Sequence, residues 1–344
     1  MRCRDNLFIM IFVVRVEPDN NIFFVNPHET ILDAALRQGF DFPYGCQEGT
    51  CGTCIAGLVE GSVSYPYAEP ESLTTADMAE GSILLCSAVP RSDLVIRHNG
   101  MNPPWQRIRK TCFYDVLHVS TLSQHMVKII LSPSTDAVIH YQAGQYIEVY
   151  IENGESRPFS IANAPDGGKE IELHIKANGE NAFITQLLNT VAVDKKLRIE
   201  GPFGRTIFRA GLPFPLILLA GGTGFSHSKA LIEEVIKTAP QTPIHLFWGA
   251  KTPADLYLHT LPLTWEKTLP AFQYTPYIST LNKAHRPSSL ITAVTDLYPQ
   301  MDKVCVYASG PTNLVLDALK TFEQHQLKRA LFFSDVFDYL PAPP

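Results

Sequence analysis

Four cysteines constrain this chain more than any other feature in it. Cys46, Cys51 and Cys54 follow a C-x4-C-x2-C pattern, and Cys86 comes after 31 intervening residues. The chain has seven cysteines in 344 residues, an odd number with three crowded into one loop. That is a poor disulfide framework, and metal ligation is the better reading. The spacing is that of a plant-type [2Fe–2S] centre. Bridging sulfides need backbone N–H groups that point inward, and a tight loop with thiolates at these offsets supplies them. Gly45, Gly49 and Gly52 let the backbone pass close and adopt positive φ. Cys86 is expected to close the site from a strand, ILLCSAV. The alternative is structural zinc, but zinc usually takes two C-x2-C knuckles and the chain has one. Cys3, Cys112 and Cys305 belong to no motif and read as plain core or surface thiols.

Length predicts two or three domains, and the sequence divides the same way. The first hundred residues carry six Lys/Arg against thirteen Asp/Glu, whereas the remaining 244 are nearly neutral at +1. A net charge of −6 excludes the basic footprint of a nucleic-acid binder. No apolar run reaches the ~18 residues that a membrane-spanning helix needs, so no membrane insertion is expected. The opening MRCRDNLFIMIFVV has only an eight-residue apolar stretch, Leu7–Val14, without a following cleavage site. It reads as a first strand, with Met10 as an alternative start, in a hairpin turning at Pro18–Asn21. Cytoplasm is the expected compartment.

A helix is predicted over 29–39, with Gly39 as its stop. NGMNPPWQR, at 99–107, is the best linker. CFYDVLHVS, MVKIILS, QYIEVYI, EIELHIKA and KLRIEGPF then alternate as half-buried antiparallel strands, suggesting a small barrel. From Pro213 the pattern changes. PLILLAGG, IHLFWGA and KVCVYASG are continuous apolar runs of the kind buried on both faces. They alternate with the helical SKALIEEVIKTA and LVLDALKTFEQH, which predicts a doubly wound α/β domain. No internal repeat or low-complexity tract interrupts this order.

Two segments carry ligand chemistry. In RPFSIAN, Arg157 can meet a phosphate with its fork of donors, Phe159 offers a flat apolar face, and Ser160 can hydrogen-bond a ring nitrogen. The plainer alternative is an edge strand marked by Pro158. In LILLAGGTGFSHSKAL, Gly221, Gly222 and Gly224 sit between a buried strand and a helix, where pyrophosphate can reach backbone N–H groups. Its alternative is a tight strand-to-helix turn.

YGCQEGTCGTC with LLCSAV resembles the ferredoxin module of iron–sulfur flavoprotein reductases, within the ferredoxin–NAD(P)H reductase superfamily. RPFSIANAPDGGKEIELHIKA is similar to NAD(P)H:flavin reductases, and GPFGR, GGTG, VYASGPTNL and FFSDVF match further family elements. The resemblance spans nearly the whole chain. It implies a multidomain fold: a β-grasp [2Fe–2S] ferredoxin domain (α+β) at 1–98, a linker at 99–106, an antiparallel β-barrel flavin domain at 107–210, and an α/β doubly wound parallel-sheet NAD(P)H domain at 211–344.

It also implies roles for residues. Cys46 and Cys51 would hold one iron, Cys54 and Cys86 the other. Arg157, Pro158, Phe159, Ser160, His174, Ile175 and Thr185 would bind flavin, with Ser160 at N5 aiding hydride transfer. Gly221, Gly222, Thr223, Gly224, Gly310 and Pro311 would bind the nucleotide, with Phe337 near the flavin–nicotinamide pair. Ser309 stands where many members carry a catalytic cysteine, and Ala182 where FAD-retaining members carry glycine. The second departure leaves FAD, held loosely, or FMN open. NADH is the expected donor, with NADPH open because no acidic residue follows HLFWGA and Lys251 can face a 2′-phosphate. The implied activity is that of an NAD(P)H-dependent oxidoreductase. It would pass electrons through flavin and cluster to an acceptor protein: a deoxysugar dehydrase, as in the CDP-6-deoxy-3,4-glucoseen system, or an oxygenase component. The acidic first module would dock on a basic partner surface. The alternatives are a flavin reductase releasing free reduced flavin and a non-enzymatic ferredoxin-type carrier.

Overall fold

The computed structural model describes residues 11–339, apart from 19, 99–100, 102–108, 168, 178–180, 194, 210–211, 213 and 282–288. Cys3, the Met10 start and most of the expected linker lie outside the described residues. Two compact units emerge: residues 1–106 with 209–213, and 107–208 with 214–344.

In the first unit, β1 (Phe12–Glu17) and β2 (Asn21–Val25) form the expected hairpin. Asn20 makes its turn possible by taking φ +53°. β3 (Ile55–Glu60), β4 (Val63–Ser64), β5 (Ser82–Leu84), β6 (Val89–Pro90) and β7 (Leu94–Arg97) follow. The main sheet has the order β2-β1-β7-β3-β5, with β7 parallel to β1 and antiparallel to β3. α1 (Ile31–Arg37) is shorter than the expected helix because both ends are fixed by side chain and backbone. Thr30 caps its start by accepting from Asp33 N at 3.1 Å. At its end Gly39 takes φ +78°, and Phe40 N donates to Ala35 O at 2.9 Å. Its Ile31, Leu32, Ala34 and Ala35 are buried in one core with Phe23, Phe40 and Phe42. α2 (Thr75–Ala79) is a short capped helix near the cysteine loop.

In the second unit, β8 (Lys110–Ser123), β9 (Met126–Pro133), β10 (Tyr146–Tyr150), β11 (Ser156–Ser160), β12 (Ile171–Lys176) and β13 (Lys196–Phe203) form one antiparallel sheet. Its order is β11-β10-β13-β8-β9-β12. The expected alternation is seen in β8 and β9, where Tyr114, Val116, Ile129 and Leu131 point into the core. The end strands β11 and β12 are not ladder partners, although Ala162, just past β11, donates to Glu172 O in β12 at 2.8 Å. α3 (Ala182–Thr190) connects β12 to β13.

The same unit continues as a parallel sheet. Its strands are β14 (Leu216–Gly221), β15 (Ile244–Ala250), β16 (Phe272–Ile278), β17 (Cys305–Ser309) and β18 (Phe332–Phe333), in the order β16-β15-β14-β17-β18. Every residue of β14, β15 and β17 is buried, as their unbroken apolar runs require. α4 (Phe225–Thr238), α5 (Thr260–Thr268), α6 (Leu290–Leu297), α7 (Thr312–Gln324) and α8 (Val336–Tyr339) complete the element order. The strand order reverses between β14 and β17, which creates a crevice at their carboxyl ends. Among the described residues no helix is long and apolar enough to cross a membrane.

Candidate functional site

The loop from Tyr44 to Thr53 holds its shape through glycines. Gly49 and Gly52 sit at φ +79° and +72°. A Cβ on Gly49 would lie 2.7 Å from Glu69 O, and one on Gly45 would lie 3.1 Å from Cys51 Sγ. The thiols stand as two pairs. Cys46 N donates to Cys51 Sγ at 3.4 Å, and Glu48 N to Cys46 Sγ at 3.4 Å. The Cys86 N–H and thiol both reach the Cys54 sulfur, while Leu85 N donates to Cys54 O at 3.1 Å. Cys86 does not lie in a strand. After β5 the chain folds back, with Ser87 N and Ala88 N both donating to Leu84 O, so Cys86 occupies a turn.

Hydrogen bonds from the Thr50 side chain and the Glu48 backbone hold the Cys46 thiol down to about 6. Cys51 is lowered too, by the Cys46 backbone and Thr53. Burial instead pushes Cys54 up to about 12. Among the described residues no three His, Cys, Asp or Glu side chains gather as a mononuclear metal site requires. Two thiol pairs, one in a loop lined with N–H donors and one joining that loop's end to the turn after β5, fit a two-iron cluster. Thr50 and Thr53 escaped the sequence reading; their signal is a hydroxyl residue directly before Cys51 and Cys54.

β11 brings Arg157, Pro158, Phe159 and Ser160 to one edge of the antiparallel sheet, where Pro158 leaves no needed donor missing. The Arg157 guanidinium lies over the Phe183 ring at 5.5 Å, in the first turn of α3. Phe159 and Phe183 stand 6.4 Å apart. Asn181 caps α3 by accepting from Ile184 N, Ala182 is its first residue, and the Thr185 hydroxyl donates to Asn181 O at 3.1 Å. Ile175 is buried in the sheet core. The His174 ring is spent inside the protein, on Glu172 Oε1 at 2.6 Å and the Tyr257 hydroxyl at 3.1 Å.

At the crevice, β14 ends in the glycine turn and β17 in Ser309–Gly310–Pro311. The two pack backbone on backbone. A Cβ on Gly224 would lie 2.3 Å from Ser309 O, and one on Gly310, at φ +132°, would lie 2.7 Å from Gly221 O. The Ser309 hydroxyl donates to Gly224 O at 2.7 Å and is buried. Gly222, at φ +55°, faces open space, and its carbonyl accepts from Trp248 Nε1 at 3.0 Å. Phe337 does not extend a strand. Val336 N donates to the Ser334 hydroxyl, the chain turns into α8, and Phe337 lies beneath Arg329 at 4.4 Å.

Residues 14–91 match the 2Fe-2S iron-sulfur cluster binding domain, 116–208 the oxidoreductase FAD-binding domain, and 218–320 the oxidoreductase NAD-binding domain. The CDP-6-deoxy-L-threo-D-glycero-4-hexulose-3-dehydrase reductase of Yersinia pestis is 34% identical over 327 residues, covering 94% of this chain and 98% of its own. The chain belongs to the iron–sulfur flavoprotein reductases. This reductase is an NAD(P)H-dependent oxidoreductase with FAD and a [2Fe–2S] cluster as cofactors. The phenol hydroxylase P5 protein of Acinetobacter pittii is a further relative, 32% identical across 92% of each chain. Among solved structures, the Amycolatopsis cytochrome P450 reductase GcoB superposes with a TM-score of 0.62 at 25% identity, over 94% of this reductase and 98% of that chain.

Proposed function

We propose that this reductase delivers its electrons to a separate acceptor protein, either a deoxysugar dehydrase or the hydroxylating component of an oxygenase. The observation that carries this reading is full-length likeness. Reductases named for such systems match across more than nine-tenths of the chain, cluster, FAD and NAD modules together. We assign the modules to 1–98, 107–210 and 211–344, with 99–106 as linker. The first sheet with α1 is then a β-grasp, and the antiparallel sheet a barrel whose closure the Ala162–Glu172 bond supports. We place the reductase in the cytoplasm, because four of its cysteines are spaced to ligate iron rather than to pair as disulfides.

When bound, flavin converts a hydride pair into single electrons and the cluster carries them one at a time. The chain's residues supply position and charge. Arg157 would meet a flavin phosphate beside the first turn of α3, and Phe159 would pack along the flavin. The Ser160 hydroxyl, half-buried and without a hydrogen bond to any described residue, would donate to flavin N5. Thr185 would lie at the pyrophosphate, its hydroxyl turning from Asn181 O to reach it, while His174 and Ile175 would serve through their backbone because the His174 ring is taken. Gly221, Gly222, Thr223 and Gly224, with Gly310 and Pro311, receive the dinucleotide. Ser309 holds the turn in place at the nicotinamide, and Phe337 closes the site. Cys46, Cys51, Cys54 and Cys86 hold the irons.

Anaerobic NADH addition should bleach the flavin and then produce the paramagnetic signal of a reduced cluster. Only the true acceptor, dehydrase or oxygenase component, should then turn over. Its KM should rise with ionic strength, because the acidic first module docks on basic charge. Ala182 at the start of α3 favours a second reading, a flavin reductase that releases its product. Activity that returns after gel filtration only with added flavin would select it.

A further inference from the structure

Where the flavin sheet meets the nucleotide half within the second unit, a row of polar side chains is packed away from water. Lys229 of α4 places its Nζ 3.3 Å from Glu172 Oε1 and 2.8 Å from Glu233 Oε1, and donates to Ala162 O at 3.0 Å. That ammonium is thereby held by one hydrogen bond and two ion pairs. Glu172 holds His174 Nε2, and His174 Nδ1 meets the hydroxyl of Tyr257, in the loop between β15 and α5. Burial lowers the His174 pKa, so the ring is neutral. Desolvation opposes ionisation of Glu172, but the His174 bond and Lys229 outweigh it and hold the carboxyl below its ordinary range. An anionic Glu172 takes the Nε2 hydrogen, which leaves Nδ1 to accept from Tyr257 O–H. Donors therefore converge on Glu172 from both sides, Tyr257 through His174 from one and Lys229 from the other.

The row continues into the nucleotide turn. The Tyr257 ring lies edge-on to Trp248 at 5.2 Å and to Phe225 at 6.0 Å, and those two stack at 3.8 Å. Phe225 directly follows the glycine turn, and Trp248 donates to Gly222 O. Along α4, Glu233 accepts from Ala164 N at 3.1 Å and Lys237 donates to Pro165 O at 2.8 Å. With Lys229 they form an i, i+4, i+8 stripe seated on the segment that leaves Ser160.

We infer that Lys229, Glu172, His174 and Tyr257 are positioning residues that fix the glycine turn against the Ser160 strand, so that nicotinamide and flavin approach in one geometry. The inference rests on the flavin and nicotinamide sites proposed above. The test uses Tyr257→Phe, which keeps the ring and removes the hydroxyl. Its control is Tyr298→Phe, which takes the same group from another tyrosine–histidine pair, His245 Nδ1 to Tyr298 at 2.9 Å, lying wholly inside the nucleotide half.

Stopped-flow reduction of the FAD-loaded, full-length protein by NADH, and by NADH deuterated at the transferred position, compares both with wild type. Tyr257→Phe should retain FAD and reduce it about tenfold more slowly, with KM for NADH within about twofold and a larger isotope effect. Tyr298→Phe should lose similar thermal stability and keep the wild-type rate. Equal rates for Tyr257→Phe and wild type, or equal slowing by both variants, would overturn the inference. If Tyr257→Phe does not fold, Lys229→Met should slow hydride transfer and Lys229→Arg should restore most of it. Failure of that recovery counts against the inference equally. A wild-type protein whose flavin NAD(P)H does not reduce would overturn the underlying reading, and the inference with it.

Discussion

Cys86 holds its place through a turn rather than a strand, so its replacement should leave the sheet intact. Cys86→Ser is expected to lose most of the iron in elemental analysis while NADH still reduces the flavin. Cys112→Ser and Cys305→Ser, in other cores, should keep their iron. Ser160→Ala should slow flavin reduction by on the order of 10²-fold, the scale of one transition-state hydrogen bond, as measured by stopped flow with flavin content unchanged. His245 offers a pH test. Burial lowers its pKa from 6.5 to about 4, and both its ring nitrogens bond hydroxyls. The unfolded chain takes up that proton near 6.5 and the folded one near 4, so its contribution to stability falls as pH drops across that window. Urea unfolding of His245→Gln should lose stability less steeply there, by up to about one proton. The cysteine spacing could be read from the sequence alone. The Thr50 and Thr53 hydroxyls that bond the thiols could not, because a hydroxyl beside a cysteine has no fixed direction until the loop folds.

The glycine turn gains its specificity from two different requirements. Gly224 has no room, since a Cβ would meet Ser309 O at 2.3 Å. Gly224→Ala should therefore cost about 1–3 kcal/mol in chemical unfolding and weaken NADH binding. Gly222 has room but a φ of +55°. Gly222→Ala should cost about 1–2 kcal/mol, chiefly raising the KM for NADH by placing a methyl in the open crevice. Long alternating or unbroken apolar runs such as β9 and β14 could be read directly, because their period fixes which face is buried. β16 went unread because Pro276 interrupts FQYTPYI, and only its position at the sheet edge makes that proline tolerable. In FFSDVF the two phenylalanines form β18, and the Ser334 hydroxyl caps the turn that ends it after two residues.

At the scale of the whole molecule, the order of modules makes a relay testable by breaking it at one end. Cys54→Ser, without the cluster, should lose most NAD(P)H-driven cytochrome c reduction, which takes single electrons, yet still reduce ferricyanide directly from flavin. Untouched cytochrome c reduction would remove the cluster from the exit path. The amino-acid sequence by itself determined the spacing of the four cysteines, the glycine turn and the order of the modules. Each of these is a local pattern, whose spacing along the chain is already its spacing in a loop or strand. The tertiary structure alone decided what meets across distance. The strand reversal that sets β14 beside β17 opens the crevice, and Ser309 becomes a tie to Gly224. Lys229 shows why such things stay hidden. It lies four residues after Phe225 on the apolar face of α4, where burying a lone ammonium is costly. Glu233 is one turn away on the same helix, but only folding brings Glu172 and the Ala162 carbonyl to it, from segments the sequence keeps apart.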